Sequence, residues 1–519
     1  MGKGILYTFL NKNSQKLTLK SLFLLIFVTI TGAAWAEGDL GGRVTVTVSP
    51  DSVRVLRNPL SGWVMYLGRA WDENFWAERG YDSMPAGDTV VRVSDYATTA
   101  YLRTSWSSLE PEEGKYAWND PDSRLARLLS SVTARGLRLA FRIVVDGRDQ
   151  GQNTPMYVFE AGAKGFSDPS MPGVLSPYPD DPVFQAKYEK FITAFAAEFN
   201  DPGRVEFIDA FGLGKWGEAH GLRYADYGNK AAVFDWITSL YAREFTGVPI
   251  VINYHRLVAD TVSWAPAHPD SERLLESAVG KGYSLRHDAF GMTGYYREWE
   301  RAFAARWRHR LPIIFEGGWI TGAHHRYWID PSGAYRQGHS EDVRRGEYEA
   351  ARETAVNMMD LRTGDEVASW FGTSFDLVKA FIAEGGYRLY PSAVTLPAWA
   401  RAGATVTIDH TWENMGWGYC PTNIPQMEQR YKVAFALIDD GGRVALRQVD
   451  TATDLSTWLK GAPTSYTTTI ETATLPPGRF TWAVAIVDTA TGEPGIEMAV
   501  DPATLIGGWL PLGSITIEN

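Results

Sequence analysis

Two glutamates stand where a side chain could react. Glu218 lies in Gly212-Leu-Gly-Lys-Trp-Gly-Glu-Ala-His220 and Glu316 in Leu311-Pro-Ile-Ile-Phe-Glu-Gly-Gly-Trp319; each follows an apolar strand-like run, Val205 to Phe211 and Ile313 to Phe315. Carboxylates at the C-terminal mouths of parallel strands lie on the open face of a (β/α)8 barrel, where the following loops carry the chemistry. Two of them suit glycoside hydrolysis. One protonates the leaving oxygen, and in retaining enzymes the other attacks the anomeric carbon from about 5 to 5.5 Å away. Although 98 positions separate them in the chain, strands four and seven of one barrel face each other across the mouth.

The elements that must position them alternate between strand-sized apolar runs and helix-period segments from Ser61 to Phe371, the pattern of repeated βα units. Eight strands are expected: Gly62 to Leu67, Thr99 to Trp106, Leu137 to Val145, Val205 to Leu213, Val248 to Tyr254, Ser284 to Gly291, Pro312 to Glu316 and Glu366 to Phe371. Helices are expected after Asp120-Pro121, where Leu125, Leu128, Leu129 and Val132 share a face and Gly136 closes the segment, and after Asp181-Pro182, where Phe184, Tyr188, Phe191, Phe195 and Phe199 repeat. Asn229 is placed to cap a third helix, with Val233, Trp236, Ile237 and Leu240 as its buried stripe. Beyond Tyr387 the pattern changes to short alternating runs, Thr405 to His410, Tyr431 to Ile438, Thr467 to Thr472 and Phe480 to Val487, with turns at Asp439-Asp440-Gly441-Gly442 and Pro476-Pro477-Gly478. They predict an antiparallel β-sandwich. The fold class is therefore α/β, with the barrel over residues 58–386 and the sandwich over 387–519. Residues 37–57 form an N-terminal extension in which Gly42 to Val55 adds a strand or two.

The segment Tyr101-Leu-Arg-Thr-Ser-Trp-Ser-Ser-Leu-Glu-Pro-Glu-Glu-Gly-Lys-Tyr-Ala-Trp118, read together with Glu218 and Glu316, resembles the superfamily of retaining (β/α)8 glycoside hydrolases. In that superfamily an Arg on strand two, a Trp and a Glu-Pro-x-x-Gly turn precede the next helix. The whole layout from Asn58 to Asn519, including Trp-Gly-Glu-x-His, is also similar to a little-characterised family of secreted bacterial domains of unknown function. The hydrolase resemblance implies Glu218 as acid/base, Glu316 as nucleophile, and Arg103 as the cation that contacts Glu316 and keeps it ionised. One position departs from the pattern. Where the superfamily carries an Asn before the acid/base, this chain has Gly217, so either another residue meets the sugar's 2-hydroxyl or the site does not act on an ordinary sugar.

Trp106, Trp216, Trp319 and Trp370 fall at or just beyond expected strand ends, where an aromatic face suits a sugar ring. Trp216 and Trp319, beside the glutamates, are the first choices for binding; core packing is the competing role for all four. Asp146, His220, Tyr254, His287 and Asp288 fall near the mouths of strands three to six, and polar residues there could bind hydroxyls or tune the acid. Glu218 and Glu316 themselves could instead be a solvated loop carboxylate and a buried structural partner of an Arg. His324-His325 lacks the spacing and companions of a zinc site, so no metal and no cofactor are assigned.

Lys3, Lys12, Lys16 and Lys20, then the apolar run Leu22 to Ile30, then Ala34-Trp35-Ala36, read as a signal peptide over residues 1–36, which predicts a secreted or periplasmic protein. The run is short of the ~20 residues a membrane span needs. Residues 1–36 hold four Lys and no acid, so their removal takes the formal charge from −11 to −15. That charge argues against nucleic acid as a partner; the hydrolase resemblance implies carbohydrate as the expected one. The single Cys420 has no internal disulfide partner, and stability must come from packing. Three readings follow: a retaining hydrolase of a β-linked oligo- or polysaccharide, a carbohydrate-binding or polysaccharide-processing accessory protein without catalysis, and a barrel enzyme of another class such as a lyase with one Glu as base.

Overall fold

A computed structural model describes residues 36–40, 42–68, 72–148, 150–290, 294–321, 330, 333–472 and 475–519. The expected leader, apart from Ala36, and His324-His325 lie outside the described residues.

Eight parallel strands close into a barrel. In chain order they are Gly62–Tyr66, Ala97–Ser105, Arg138–Val144, Val205–Asp209, Ile250–Asn253, Tyr283–His287, Ile313–Phe315 and Met358–Asp360. Side chains alternate across the wall as the pleat requires. Val64, Tyr66, Tyr101, Ala140, Phe207, Val251, Ile314 and Met358 fill the interior. Trp63, Met65, Leu102, Phe141, Ile143, Ile208, Ile252, Leu285, Phe315 and Met359 face the surrounding helices. Seven strands lie where the sequence placed them. The eighth does not: Glu366 to Phe371 belongs to the helix Asp365–Thr373, and the strand is Met358–Asp360. Val367, Trp370 and Phe371 sit at helical spacing and are buried on one face, whereas the real strand is too short to show a period of two.

The helices follow their stripes. Asp181 caps Pro182–Phe199, its carboxylate accepting from the backbone N–H of Val183 and Phe184. Phe184, Phe191, Phe195 and Phe199 are fully buried, each stabilising the helix–barrel contact by about 2 kcal/mol. Ser123 caps Arg124–Ala134. Asn229 precedes Lys230–Glu244 but makes no capping bond; its amide donates to Asp180 at 3.0 Å instead.

Two sheets make the sandwich. One orders Ala36–Leu40, Arg43–Thr47, Leu389–Pro397, Thr405–Asn414 and Thr464–Glu471; the other orders Trp399–Arg401, Leu510–Glu518, Gly478–Asp488, Tyr431–Ile438 and Val444–Asp450, with Pro494–Ile496 on Gly478–Asp488. Pairing is antiparallel except for Trp399–Arg401 on Leu510–Glu518. The segment before the barrel thus contributes two strands to the sandwich, Arg43–Thr47 pairing with Ala36–Leu40 on one side and Leu389–Pro397 on the other. Barrel and sandwich share one apolar cluster, in which the barrel's inner residues continue through Leu60, Tyr387 and Cys420 to Tyr431, Phe435 and Trp458. Among the described residues no helix is long and apolar enough to cross a membrane.

Candidate active site

The loop after strand four is bent into its shape by backbone rather than by packing. Gly212, Gly214 and Gly217 have φ of 69°, 83° and 75°, and Trp216 and Ala219 adopt 60° and 62°, which costs each non-glycine residue about 1–2 kcal/mol. Such strain concentrates where a side chain must be aimed. Ala219 N–H donates to the Leu213 carbonyl at 3.1 Å and Lys215 N–H to that of His220 at 2.9 Å, closing the loop on itself. The Asn that the superfamily carries at the position of Gly217 would be strained in this conformation. Its φ is left-handed, and a Cβ would stand 3.1 Å from Arg142 Cδ and 3.3 Å from Val144 Cγ2.

Glu218, 6% exposed, is surrounded by donors. Arg103 Nη1 and Arg142 Nη1 each lie 3.7 Å from Oε1. The Tyr295 hydroxyl donates to Oε2 at 3.3 Å, and His220 Nε2 lies 3.3 Å from the same oxygen. Asn253, at the end of strand five, donates to the Glu218 carbonyl at 2.8 Å. Burial works against the charge on Glu218, but the His220 hydrogen bond and the Arg142 guanidinium outweigh it, and the carboxyl titrates below its ordinary range. Glu316 is near enough for its own charge to oppose that ionisation.

Glu316 is fully buried and gripped from two sides, Arg286 on Oε2 and Arg362 on Oε1. From Glu218 an unbroken run of charges crosses the barrel to it. Arg142 donates to Asp209 at 2.7 Å and to both oxygens of Asp288 at 2.7 and 2.6 Å. Arg286 Nε donates to Asp209 at 3.1 Å and, through Nη2, holds Glu316. Strand register explains the alignment: Arg103, Arg142 and Asp209 are paired positions on strands two, three and four, and so share one level of the interior. Asp360 on strand eight completes the set. Its Oδ1 accepts from the Arg362 N–H at 2.5 Å, while Oδ2 has no hydrogen-bond partner among the described residues. Burial, with the charge of Glu316 next, pushes its carboxyl up to about 7.

The expected site residues divide accordingly. Glu218, Glu316, Arg103 and His220 come together, with the correction that Arg103 pairs with Glu218 while Arg286 and Arg362 serve Glu316. Trp319, 38% exposed, lies under Arg362, whose guanidinium carbon is 4.7 Å from the ring centroid. Trp216 is half-buried, edge-on to His220 with Lys215 Nζ 4.3 Å from its ring centroid.

Trp106 and Trp370 are fully enclosed and offer no face to a ligand. The indole of Trp106 packs on Tyr157, Tyr188 and Phe191 and donates to Glu110 at 2.8 Å. Glu110 also accepts from Gly114 N–H, so the Glu-Pro-x-x-Gly turn is a structural clasp. Trp370 packs on Trp63 and Arg344. Tyr254 is buried against Phe303 and His287, on the helix side of the wall. His287 is sealed among Tyr254, Tyr295 and Tyr296, and burial holds it neutral, well below the usual histidine range. Asp146 bonds Arg148 and Ser176, bracing the loop after strand three.

Sequence reasoning missed Arg142, Asp209, Asn253, Arg286, Tyr295, Asp360 and Arg362. For the strand residues a signal existed: Arg142, Asp209 and Arg286 interrupt apolar runs at positions that the period of two turns inward. Tyr295 had none, since a loop brings it to the mouth.

Two carboxylates that follow facing strands and are held by guanidinium groups inside one parallel barrel make an arrangement that can serve acid–base or nucleophilic chemistry. Among the described residues no group of three or more His, Cys, Asp or Glu is arranged to hold a metal ion. No protein-family model matches the chain, and no curated protein matches it either. Solved structures do align with it loosely. The catalytic domain of β-amylase from Paenibacillus polymyxa is 12% identical over 63% of this chain and 99% of its own, at a TM-score of 0.40. Endo-glycoceramidase II from Rhodococcus sp. is 14% identical over 80% and 99%, at 0.36. The endo-β-1,4-mannanase from Thermotoga petrophila is 11% identical over 89% and 98%, also at 0.36. Likeness at that level carries no argument; the barrel class rests on the closed ring of eight parallel strands itself.

Proposed function

We propose that this protein is a secreted glycoside hydrolase that cleaves a β-linked oligo- or polysaccharide by a retaining mechanism. The observation that carries the reading is the pair Glu218 and Glu316, set after strands four and seven of one barrel and joined by a single buried charge network. Glu316, held by Arg286 and Arg362, is the attacking carboxylate. Glu218, beside the Tyr295 hydroxyl and the His220 imidazole, protonates the leaving oxygen and then takes the proton of the incoming water. Since Glu218 titrates below its ordinary range in the free protein, through the His220 hydrogen bond and the Arg142 charge, the form that can donate a proton becomes scarcer as pH rises, and kcat/KM should be highest in the acid range. Secretion is part of the proposal and rests on the leader-like residues 1–36.

A fluorinated glycosyl inactivator tests the mechanism. It should label Glu316, and Glu218→Ala should lose far more activity on substrates with poor leaving groups than on activated aryl glycosides. Labelling elsewhere, or equal loss on both substrate types, would sink the assignment. The low titration of Glu218 favours one second reading, a lyase in which Glu218 acts as base; unsaturated products from a polysaccharide panel would identify it.

A further inference from the structure

Around Glu218 the mouth is bordered by an aromatic side chain that the catalytic scheme above does not use. Trp264, in the loop after strand five, is 52% exposed, and its ring stands edge-on to Tyr295 with centroids 5.3 Å apart. Tyr295 in turn donates to Glu218. One side chain therefore separates Trp264 from the proposed acid.

The loop that presents it is pinned on both sides. Gly221 N–H donates to the Val262 carbonyl at 3.3 Å, and Ser263 Oγ lies 2.9 Å from His220 Nδ1. On the far side Arg256 Nε, from a guanidinium that also pairs with buried Glu300, donates to the Ala265 carbonyl at 2.9 Å. An exposed indole on a mobile loop would lose entropy when a ligand ordered it; here the backbone is already fixed, which is the condition for a useful binding face. Trp216 flanks the same residues from the other side, edge-on to His220 with centroids 6.2 Å apart. Trp216, His220, Tyr295 and Trp264 make a continuous aromatic arc on the Glu218 side of the mouth.

We propose that Trp264, with Trp216, forms a saccharide-binding subsite for the leaving-group side of the cleaved bond. This inference rests on the hydrolase reading, because the acid must stand beside the departing oxygen and whatever lies beyond Glu218 meets the departing sugar. Flat apolar area with a polar edge suits the face of a pyranose ring. Trp319 lies beside Arg362 and hence on the Glu316 side, so the substrate is a chain that extends past the cleaved bond rather than a single sugar on a small leaving group.

The test uses the full chain carrying Glu316→Ala, titrated with β-1,4- and β-1,3-linked oligosaccharides of two to six units and followed by tryptophan fluorescence and calorimetry. At least one oligosaccharide should bind, and adding Trp264→Ala should weaken it by about three- to tenfold, the range expected for one aromatic contact. Trp399→Ala, which removes an equally exposed indole from the sandwich, should leave binding within about twofold. Binding of no oligosaccharide, or equal affinity with and without Trp264, overturns the subsite. In the Glu316-containing protein, Trp264→Ala should also lower kcat/KM for the bound oligosaccharide much more than for its aryl monoglycoside; equal losses would overturn it as well. Trp264-dependent binding without cleavage by the Glu316-containing protein would retain the subsite and remove the hydrolase reading alone.

Discussion

Asp360 shows how charge is distributed at the level of single residues. Both guanidinium groups near it are committed to Glu316, and the groups that face it are Glu316, Arg286, Arg362 and the Tyr81 hydroxyl. With Oδ2 unpartnered among the described residues, an ionised Asp360 would be a second buried anion beside Glu316, and its carboxyl titrates at about 7 instead of the usual 3.8. The sign follows from which state holds the proton. The folded chain binds it more tightly than the unfolded chain, so this contribution to stability is complete below pH ~4 and is lost as pH rises through ~7. Asp360→Asn keeps the shape and removes the titration. Between pH 4 and pH 8 the variant should gain about 3 kcal/mol relative to the parent, read from urea unfolding at both pH values; a difference that does not change with pH would show that Asp360 is not protonated in the fold. Residues such as Glu218 and Glu316 were legible because each follows an apolar run and stands near Gly and Trp. Asp360 was not, because its strand pairs over only Met358–Asp360 and a three-residue strand leaves no period to read.

At the scale of elements, the same shortness explains why the eighth strand was placed one element too late. The helix Asp365–Thr373 that stands there does something a strand would not. Glu366, in its first turn, accepts from the backbone N–H of Ile320 at 2.9 Å and of Thr321 at 3.0 Å, and from the Thr321 hydroxyl at 2.8 Å. It thereby ties down the chain just past Glu316 and Trp319. Its other oxygen pairs with Arg344, which is fully buried and also pairs with Glu347. Removing one partner of a buried ion pair strands the other charge. Glu366→Ala should therefore cost about 3 kcal/mol, offset in part by Glu347, and should lower activity further than stability alone explains because the Trp319 loop loses three hydrogen bonds. Denaturant midpoints and kcat/KM on the folded protein separate the two effects, and a variant with unchanged midpoint and kinetics would refute the clasp. Helices, by contrast, were readable from sequence. The Phe184 to Phe199 stripe and its Asp181 cap are local signals that tertiary context had no reason to override.

For the molecule as a whole, the runs of alternating residues identified barrel and sandwich, but no local pattern could say that the chain enters the sandwich first, leaves it to build the barrel and then returns. Arg43–Thr47 lies beside Leu389–Pro397, and the connection is reinforced by Arg388, which donates to the carbonyls of Asp51 and Arg54 at 2.5 and 2.8 Å, and by Asn58, which donates to Glu497 at 2.9 Å. Pairings between residues more than three hundred positions apart leave no trace in a short window. The shared apolar cluster extends the coupling, since the barrel's lower interior and the sandwich core touch through Leu60, Tyr387 and Cys420. Two bodies that share a buried core and a returning strand should not unfold independently. Calorimetry of the full chain should give one transition, and residues 387–519 expressed alone should fail to fold cooperatively. Deleting residues 1–57 should uncover Leu389–Pro397 as an unpaired edge and promote aggregation, measured by light scattering on warming. Two resolved transitions, or a well-folded monomeric 387–519 fragment, would show instead that the sandwich is an autonomous module and that its strand from the N-terminal segment is dispensable.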